Sequence, residues 1–251
     1  MSRPHATKDF WMPALRAEGA AFYAAVEEAT PEMRVPSCPD WTVTNLVHHL
    51  GSLYRWVGAI LSAPEGPPPR PSTEGLPTGK AAVEWWHREY DQLLGLLDKV
   101  DMDAPAWNWA PQPKRAGFWH RRMTLETAVH RWDAQMAIAS GEPIEAAVAV
   151  EGVSEVLDTW LPAGRGHTSH TRQGVVHLQA VDADHEWFVR LRGSGVALLD
   201  TATILDTDDH HPRAHAAGTA SDLMLALYGR VRFDVLDIAG DATLLDALRT
   251  G

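Results

Sequence analysis

Cysteine, basic residues and long apolar runs are all scarce in this 251-residue sequence. The single cysteine, Cys38, cannot form an intrachain disulfide, which is typical of a protein from a reducing compartment. With 22 Lys and Arg against 33 Asp and Glu, the formal net charge is −11. This excess of negative charge disfavours nucleic acid and anionic membranes as the main partners. We therefore expect a small-molecule ligand.

The sequence also shows no pattern typical of a targeting or membrane-spanning segment. The N-terminal region lacks the basic start, apolar run and cleavage site of a secretory signal, and no stretch reaches about 18 uninterrupted apolar residues. These features predict a cytoplasmic protein without a membrane partner. The composition, with 45% hydrophobic and 8% aromatic residues, is that of an ordinary globular protein of one large domain or two modest ones.

The order of the predicted elements divides the chain in two. Helical periodicity predicts four helices in the first part: Phe10–Thr30, one from Thr42 to about Ser62, Lys80–Val100, and one that includes Leu125–Met136. After a stop signal at Ser140–Pro143, the pattern predicts a helix over Ile144–Leu161, strands over Gln173–Val181, Glu186–Arg192, Val196–Ile204, Ala214–Thr219 and Phe233–Ile238, and helices over Ser221–Arg230 and Asp241–Leu248. The predicted fold class is an α bundle, residues 1–143, followed by a small α+β domain, residues 144–251.

The fourth predicted helix carries the most informative pattern. The pattern predicts an amphipathic helix. Its apolar stripe is made of Leu125, Val129, Trp132 and Met136. Its polar stripe is made of Thr124, Thr127, Arg131 and Gln135. Between the stripes lie Glu126, His130 and Asp133, at i, i+4 and i+7. Side chains four apart on a helix are about 5–6 Å apart at Cβ, so Glu126 and His130 can both reach one metal ion. An ordinary Glu/His pair on a solvated face is the alternative, and a metal site needs a third ligand.

The second helix offers that ligand in the pair His48-His49. Val43, Leu46, Leu50, Leu53, Val57 and Ile60 form its apolar side. His49 projects at the margin of this side, whereas His48 points almost directly opposite and is predicted to face solvent. Periodicity therefore selects His49.

Two other groups have ligand residue types but weaker support. Glu84 and His87 are three residues apart on one face of the third helix, and Asp208–Pro212 contains two aspartates and two histidines in a turn without fixed geometry. Nothing beyond spacing supports Glu84 and His87 as a metal pair, and we interpret Asp208–Pro212 as a solvated loop. The aromatic loop Asp101–His120 either seals the end of the bundle or lines a pocket. Cys38 is predicted to lie in a Pro36–Pro39 turn with no chemical role.

These segments together resemble a known family. Cys38–Val43, Leu46–Gly51 and Glu126–Asp133 look like the two signature segments of the mycothiol-dependent maleylpyruvate isomerase family, and Ala220–Arg230 resembles its C-terminal helix motif. The likeness extends from about residue 10 to the end of the chain. It implies a DinB-like four-helix bundle followed by an α+β domain of sterol-carrier-like character.

The resemblance also implies a site and a chemistry. The family's metal ligands fall on His49, Glu126 and His130, its active-site aspartate falls on Asp133, and Arg230 would grip an anionic group of the substrate or of the thiol cofactor. The implied cofactors are a divalent metal, expected to be zinc, and mycothiol. The metal would activate the thiol for addition to a small electrophilic substrate, as a cis-trans isomerase of the maleylpyruvate type or as an S-transferase.

The residues leave other chemistries open. The same ion could generate hydroxide for hydrolysis with Asp133 as the base, or the bundle could bind a thiol or metal without catalysis. A His/Glu/His ligand set also suits Fe²⁺, Ni²⁺ and Mn²⁺, so the sequence does not select the metal. The actual substrate is left open too.

Overall fold

The computed structural model describes residues 7–63, 66–166, 171–193, 195–199 and 212–250. The chain divides into two compact units, Met1–Glu142 and Pro143–Gly251. The sequence analysis expects the boundary after residue 143, one residue later than the division in the structure. The histidine-rich turn Asp208–His211 lies outside the described residues. Within the described part of the chain, no helix is both long enough and apolar enough to span a membrane.

The first unit contains a bundle of four long helices. They are α1 (Lys8–Glu28), α2 (Val43–Ser62), α3 (Lys80–Lys99) and α4 (Ala116–Ala137). The strongest packing is of α1 against α4 and of α2 against α3, and contacts of α1 with α3 and of α2 with α4 close the ring. All four helices contribute to one hydrophobic core, which includes the fully buried rings of Phe22, Tyr54, Trp86 and Trp119. The predicted helical domain is therefore confirmed.

Helix α2 begins where the sequence predicts. The Thr42 hydroxyl accepts a hydrogen bond from the Asn45 backbone N–H at 3.3 Å, and the Asn45 side chain accepts one from the Thr42 backbone N–H at 2.9 Å. This reciprocal pair satisfies N–H groups that have no partner within the helix. It fixes the first turn of α2 and with it the direction of His49, two turns further on.

Helix α4 differs from the amphipathic helix that the sequence predicts. It begins at Ala116, four residues before the predicted aromatic loop ends, and it is buried on nearly every side. The polar stripe is buried too: the exposed fractions of Thr124, Thr127, Arg131 and Gln135 are 0, 0, 4 and 7%. The expectation was wrong because long-range partners, which periodicity cannot reveal, cover this stripe. Arg131, for example, is paired with Glu18 of α1.

A short β-hairpin precedes α2 and was not predicted. Its strands are β1 (Arg34–Val35) and β2 (Cys38–Thr42), which pair antiparallel. The predicted Pro36–Pro39 turn is thus narrower than expected, because Cys38 already belongs to β2. The hairpin contacts both α2 and α4, and β2 lies directly before the helix that carries His49.

The aromatic loop before α4 seals one end of the bundle. The Trp119 indole, 1% exposed, lies edge-on to Trp56 of α2, with ring centroids 5.7 Å apart, and donates to the Trp107 carbonyl oxygen at 2.7 Å. Trp107 also lies edge-on to Trp56. Among the two roles expected for this loop, the packing supports the seal.

The second unit is an α+β fold built on a five-stranded mixed sheet. Its strands are β3 (Gln173–Ala180), β4 (His185–Arg192), β5 (Val196–Leu199), β6 (Arg213–Gly218) and β7 (Asp237–Gly240), in the order β5-β4-β3-β6-β7. The β3–β6 pair is parallel, and the β3–β4, β4–β5 and β6–β7 pairs are antiparallel. The helices are α5 (Ala146–Glu155), continued by a π-helical turn over Val156–Trp160, and α6 (Ala220–Leu227); 3₁₀ turns cover Phe233–Val235 and Ala242–Leu248. This confirms the fold class. Phe233–Val235 lies in the segment Phe233–Ile238 that was expected to be strand, and the predicted helix Asp241–Leu248 is a 3₁₀ helix over Ala242–Leu248.

Candidate metal centre

Three side chains from α2 and α4 meet at the hairpin side of the bundle. Their donor atoms lie within 4.8 Å of one another, and His49, Glu126 and His130 are the only such group among the described residues. The Glu126 Oε1 atom is 3.0 Å from His49 Nε2 and 3.3 Å from His130 Nε2. One turn of α4 separates Glu126 from His130, while the packing of α2 on α4 brings in His49 across 77 residues of sequence.

The group is open on one side. The side chain of His130 is 5% exposed and that of Glu126 is 15% exposed, but that of His49 is 34% exposed. The indole of Trp41, on β2, covers both imidazoles, with ring centroids 4.9 Å from His49 and 6.0 Å from His130. A small molecule can therefore approach past His49 and Trp41 rather than through α4.

Glu126 is held in its ionised form. Burial raises the pKa of this carboxyl group, but the guanidinium of Arg122 and the hydrogen bonds from His130 and His49 outweigh burial and hold the pKa well below its usual value. Arg122, one turn earlier on α4, is 3% exposed and pairs with Glu126 Oε2. The remaining atom, Oε1, is the one that faces the two histidines. A charged carboxylate oxygen is thus directed at the centre of the group.

His130 is oriented by a second carboxylate. Its Nδ1–H donates to Asp133 Oδ2 at 2.8 Å, which leaves Nε2 directed at Glu126 and the candidate centre. Burial lowers the pKa of His130, but Asp133 and Glu126 outweigh burial and raise it. Asp133 itself is 0% exposed, so it is out of direct reach of a substrate. Its geometry is that of a group that orients a metal-binding histidine.

The hairpin supplies the partners of Asp133. The Ser37 hydroxyl donates to Asp133 Oδ1 at 2.5 Å, and the Cys38 thiol lies 3.8 Å from Asp133 Oδ2. Ser37 and Cys38 occupy the turn and the first residue of β2, and both are half-buried. Cys38 therefore lies beside the candidate site, closer than the sequence suggested, with its sulfur near the carboxylate of Asp133.

The donor set fits a divalent transition metal. Two imidazole nitrogens and one carboxylate oxygen, with room for a further ligand, are the composition of catalytic and not structural zinc sites. A metal-binding histidine commonly donates its other N–H to a carboxylate, as His130 does to Asp133. These residues could also hold Fe²⁺, Ni²⁺ or Mn²⁺, because the same ligand types suit those ions.

The competing histidines lie elsewhere. His87 is exposed and pairs with Asp91, at 3.2 Å, and not with Glu84. His48 was expected to face solvent but is half-buried, and its Nε2 lies 2.7 Å from the Pro77 carbonyl oxygen. That expectation was wrong because the loop before α3 covers this face of α2. The preference for His49 over His48 agrees with the observed grouping.

Arg230 belongs to the second unit. It follows α6, and its Nη1 donates to the Tyr228 carbonyl oxygen at 2.9 Å, while its backbone N–H donates to the Leu225 carbonyl oxygen at 2.8 Å. These bonds satisfy carbonyl groups at the end of α6, the structural role that a helix-end arginine can have. The expected role of Arg230 in binding an anion stays a prediction.

Three residues of the site escaped the sequence analysis. Arg122 could have been found, since it lies four residues before Glu126 on the same helix. Ser37 and Trp41 gave no local signal, because their partners are far away in sequence: 96 residues separate Ser37 from Asp133. Trp41 is part of the segment Cys38–Val43 that resembles the family, but the residue pattern of this segment does not show which side chains the Trp41 ring contacts.

Comparison with known proteins assigns the chain to a family. Residues 12–135 match the model of the mycothiol maleylpyruvate isomerase N-terminal domain, and residues 147–247 match that of the C-terminal domain of the same isomerase. Two solved structures of a mycothiol-dependent maleylpyruvate isomerase, one of them of a histidine-to-alanine mutant, share the fold. Their TM-scores are 0.67 and 0.62 at 10% and 11% identity, over 93% of each chain in both cases.

No curated protein sequence matches the chain. At such low identity the solved structures establish the fold and leave the reaction of this chain open. The two domain models, however, together span most of the sequence in the order that the structure shows. The chain therefore belongs to the mycothiol-dependent maleylpyruvate isomerase family.

Proposed function

We propose that this protein is a metal-dependent enzyme that uses mycothiol to attack a small electrophilic substrate, as a cis-trans isomerase of the maleylpyruvate type or as an S-transferase. The observation that carries the proposal is the convergence of His49, Glu126 and His130 on one point that is accessible past His49. We assign these residues as the metal ligands, and we propose zinc as the ion. When bound, the ion would supply a Lewis-acidic position that keeps the sulfur of mycothiol in its thiolate form.

The protein's own groups prepare this centre. Arg122 keeps Glu126 ionised, so the carboxylate is ready to bind a cation without first losing a proton. Asp133 accepts a hydrogen bond from His130 Nδ1–H and thereby presents Nε2 as the ligand atom. The Trp41 ring forms an apolar wall over both histidines, where it would exclude water and lie against the conjugated part of a substrate.

The geometry disfavours the hydrolytic alternative in which Asp133 is the general base. A hydrolase in which Asp133 is the general base needs that carboxylate within hydrogen-bond reach of the attacking water. Asp133 is fully buried, and both of its oxygens accept hydrogen bonds from protein groups, His130 and Ser37. We therefore assign Asp133 as a positioning residue of the thiol-using enzyme.

Liquid chromatography with mass spectrometry can test the function, because chromatography separates cis and trans isomers of equal mass and mass spectrometry identifies thiol adducts. Metal-loaded protein is incubated with mycothiol and a panel of small conjugated electrophiles, and the products are examined for isomers and for thiol adducts. We expect turnover that requires both metal and mycothiol. The control is His48→Ala, which should keep this turnover. It removes the histidine next to His49, and the His48 ring faces the Pro77 carbonyl oxygen. Turnover that persists without mycothiol, or product that contains added water, would contradict the proposal.

A further inference from the structure

We propose that Ser37, in the hairpin turn, is a positioning residue for the candidate metal centre. The inference rests on the proposed metal site and adds a residue that the family likeness and the ligand pattern leave without a role. The structure places the Ser37 hydroxyl at the end of a chain of contacts that runs through Asp133 to His130.

The first link joins the hairpin to α4. The Ser37 hydroxyl is 2.5 Å from Asp133 Oδ1, a short distance of the kind found when a hydroxyl donates to an ionised carboxylate. Asp133 has no exposed surface, so water does not compete for this oxygen from outside. The hydroxyl therefore fixes the rotation of the carboxylate group about its terminal bond.

The second link joins Asp133 to a ligand. With Oδ1 held by Ser37, Oδ2 is directed at His130 Nδ1, 2.8 Å away. The hydrogen bond at Nδ1 decides which imidazole nitrogen carries the proton and how the ring is turned. Ser37 thus acts on the metal at a distance, through the ring orientation of His130.

One hairpin carries both Ser37 and Trp41. Ser37 lies in the turn between β1 and β2, and β2 carries Trp41 over the two imidazoles. The Cys38 thiol, at 3.8 Å from Asp133 Oδ2, is a weaker neighbour of the same carboxylate. One short hairpin therefore sets both the wall of the site and the orientation of a ligand.

Metal affinity tests the role of Ser37 independently of turnover. Zinc affinity and stoichiometry are measured for the full-length protein and for Ser37→Ala, Ser37→Thr and Ser62→Ala. Ser62, at the end of α2, donates its hydroxyl to the Gly58 carbonyl oxygen and serves as the control. We expect Ser37→Ala to keep one zinc per chain with an affinity about 10-fold weaker, in line with the loss of an outer-shell partner of a metal ligand. Ser37→Thr should restore the affinity, and Ser62→Ala should not change it.

The visible absorption of the Co²⁺-substituted proteins gives a second readout, because it reports the ligand geometry. A shifted spectrum in Ser37→Ala that returns in Ser37→Thr supports the role. Ser37→Ala that matches the unaltered protein in affinity and spectrum overturns it while the metal site stands. A loss of affinity that Ser37→Thr does not restore also overturns it. Absence of metal binding by the unaltered protein overturns this inference and the proposed function together.

Discussion

Helix α4 carries two polar clusters that contain buried charged groups, and the two differ in where their polar atoms point. The metal-facing cluster consists of Glu126, His130 and Asp133 together with His49 of α2. The ion-pair cluster consists of Arg131 and Gln135 with Glu18 of α1 and Glu142 after α4. Both clusters cross between helices and both contain charges away from water. The polar atoms of the ion-pair cluster point at one another, whereas those of the metal-facing cluster point at a shared centre.

In the ion-pair cluster the donors and acceptors satisfy one another. Arg131 donates from Nε to Glu18 Oε2 at 2.7 Å and from Nη1 to Gln135 Oε1 at 2.8 Å and to the Glu142 carbonyl oxygen at 2.6 Å. In the metal-facing cluster, two imidazole nitrogens and one carboxylate oxygen point at a shared centre. Burial alone therefore does not identify a functional site. Convergence of electron-pair donors on an accessible point is the feature that makes the metal-facing cluster the candidate site.

Replacement of a ligand should have the largest effect. We expect His130→Ala to lose its equivalent of metal and its turnover, because two ligands hold an ion far less well than three. Plasma emission on folded, gel-filtered protein measures the stoichiometry, and His48→Ala is the matched control that should keep it. A folded His130→Ala protein with a full equivalent of metal would show that the metal-facing cluster is not the binding site.

Disruption of the ion-pair cluster should instead lower stability. Arg131→Met leaves Glu18 buried without its cation, which typically costs about 3–5 kcal/mol. Urea unfolding followed by tryptophan fluorescence measures the loss, and the double variant Glu18→Gln/Arg131→Met should recover much of it. The folded fraction of Arg131→Met should still bind one metal. If it does not, the two clusters are coupled and the comparison fails.

This contrast also explains what the sequence could and could not predict. Glu126 and His130 lie one helical turn apart, and His49 lies at the edge of an apolar stripe, so local periodicity together with the family resemblance could select them as candidates. The burial of Arg131 and the hydrogen bond from Ser37 to Asp133 depend on segments 113 and 96 residues away. No local pattern reports such distances. The missing information was tertiary, which is why the four helices were recovered while the hairpin was not.

Asp133 is the fully buried member of the metal-facing cluster, and it contacts the candidate ligand His130. Asp133→Asn keeps its shape but replaces a charged acceptor of the His130 N–H with an amide. We expect one metal per chain at saturation and an affinity about 10- to 100-fold weaker. Competition with a chelator of known affinity measures the change. An unchanged affinity would remove Asp133 from the support of the metal centre.

Two histidines of α4 should respond to pH in opposite directions in metal-free protein. Burial lowers the pKa of His120, whose ring nitrogens lie 3.0 Å from the Ala116 and Leu97 carbonyl oxygens, whereas Asp133 and Glu126 outweigh burial and raise the pKa of His130. The contribution of His120 to stability is full above its unfolded pKa of about 6.5 and falls as the pH drops below it. That of His130 is full below about 6.5 and falls as the pH rises through the folded pKa.

Urea unfolding across this pH range checks both signs. His120→Gln should remove the loss of stability on the acidic side, and His130→Gln should remove the loss on the alkaline side. Each variant serves as the control for the other, because both replace a buried histidine of the same helix. A profile that His120→Gln shifts on the alkaline side would show that the carbonyl oxygens around its ring stabilise the imidazolium.

Arg230 extends the comparison to the second unit, with the smallest expected effect. Its guanidinium donates from Nη1 to the Tyr228 carbonyl oxygen, which is a structural contact. In general, a planar guanidinium can bind a carboxylate with two N–H groups at once. Lysine keeps the positive charge at the helix end but cannot form the two-pronged contact. We therefore expect Arg230→Lys to raise KM for an anionic substrate or for mycothiol, or to lower kcat, by about 10-fold or less, with an unchanged melting temperature. Steady-state kinetics with each substrate varied in turn, alongside thermal unfolding, makes the measurement. If Arg230→Lys lowers the melting temperature while the folded fraction keeps its full activity, the role of Arg230 is structural. The anion must then be bound by another residue.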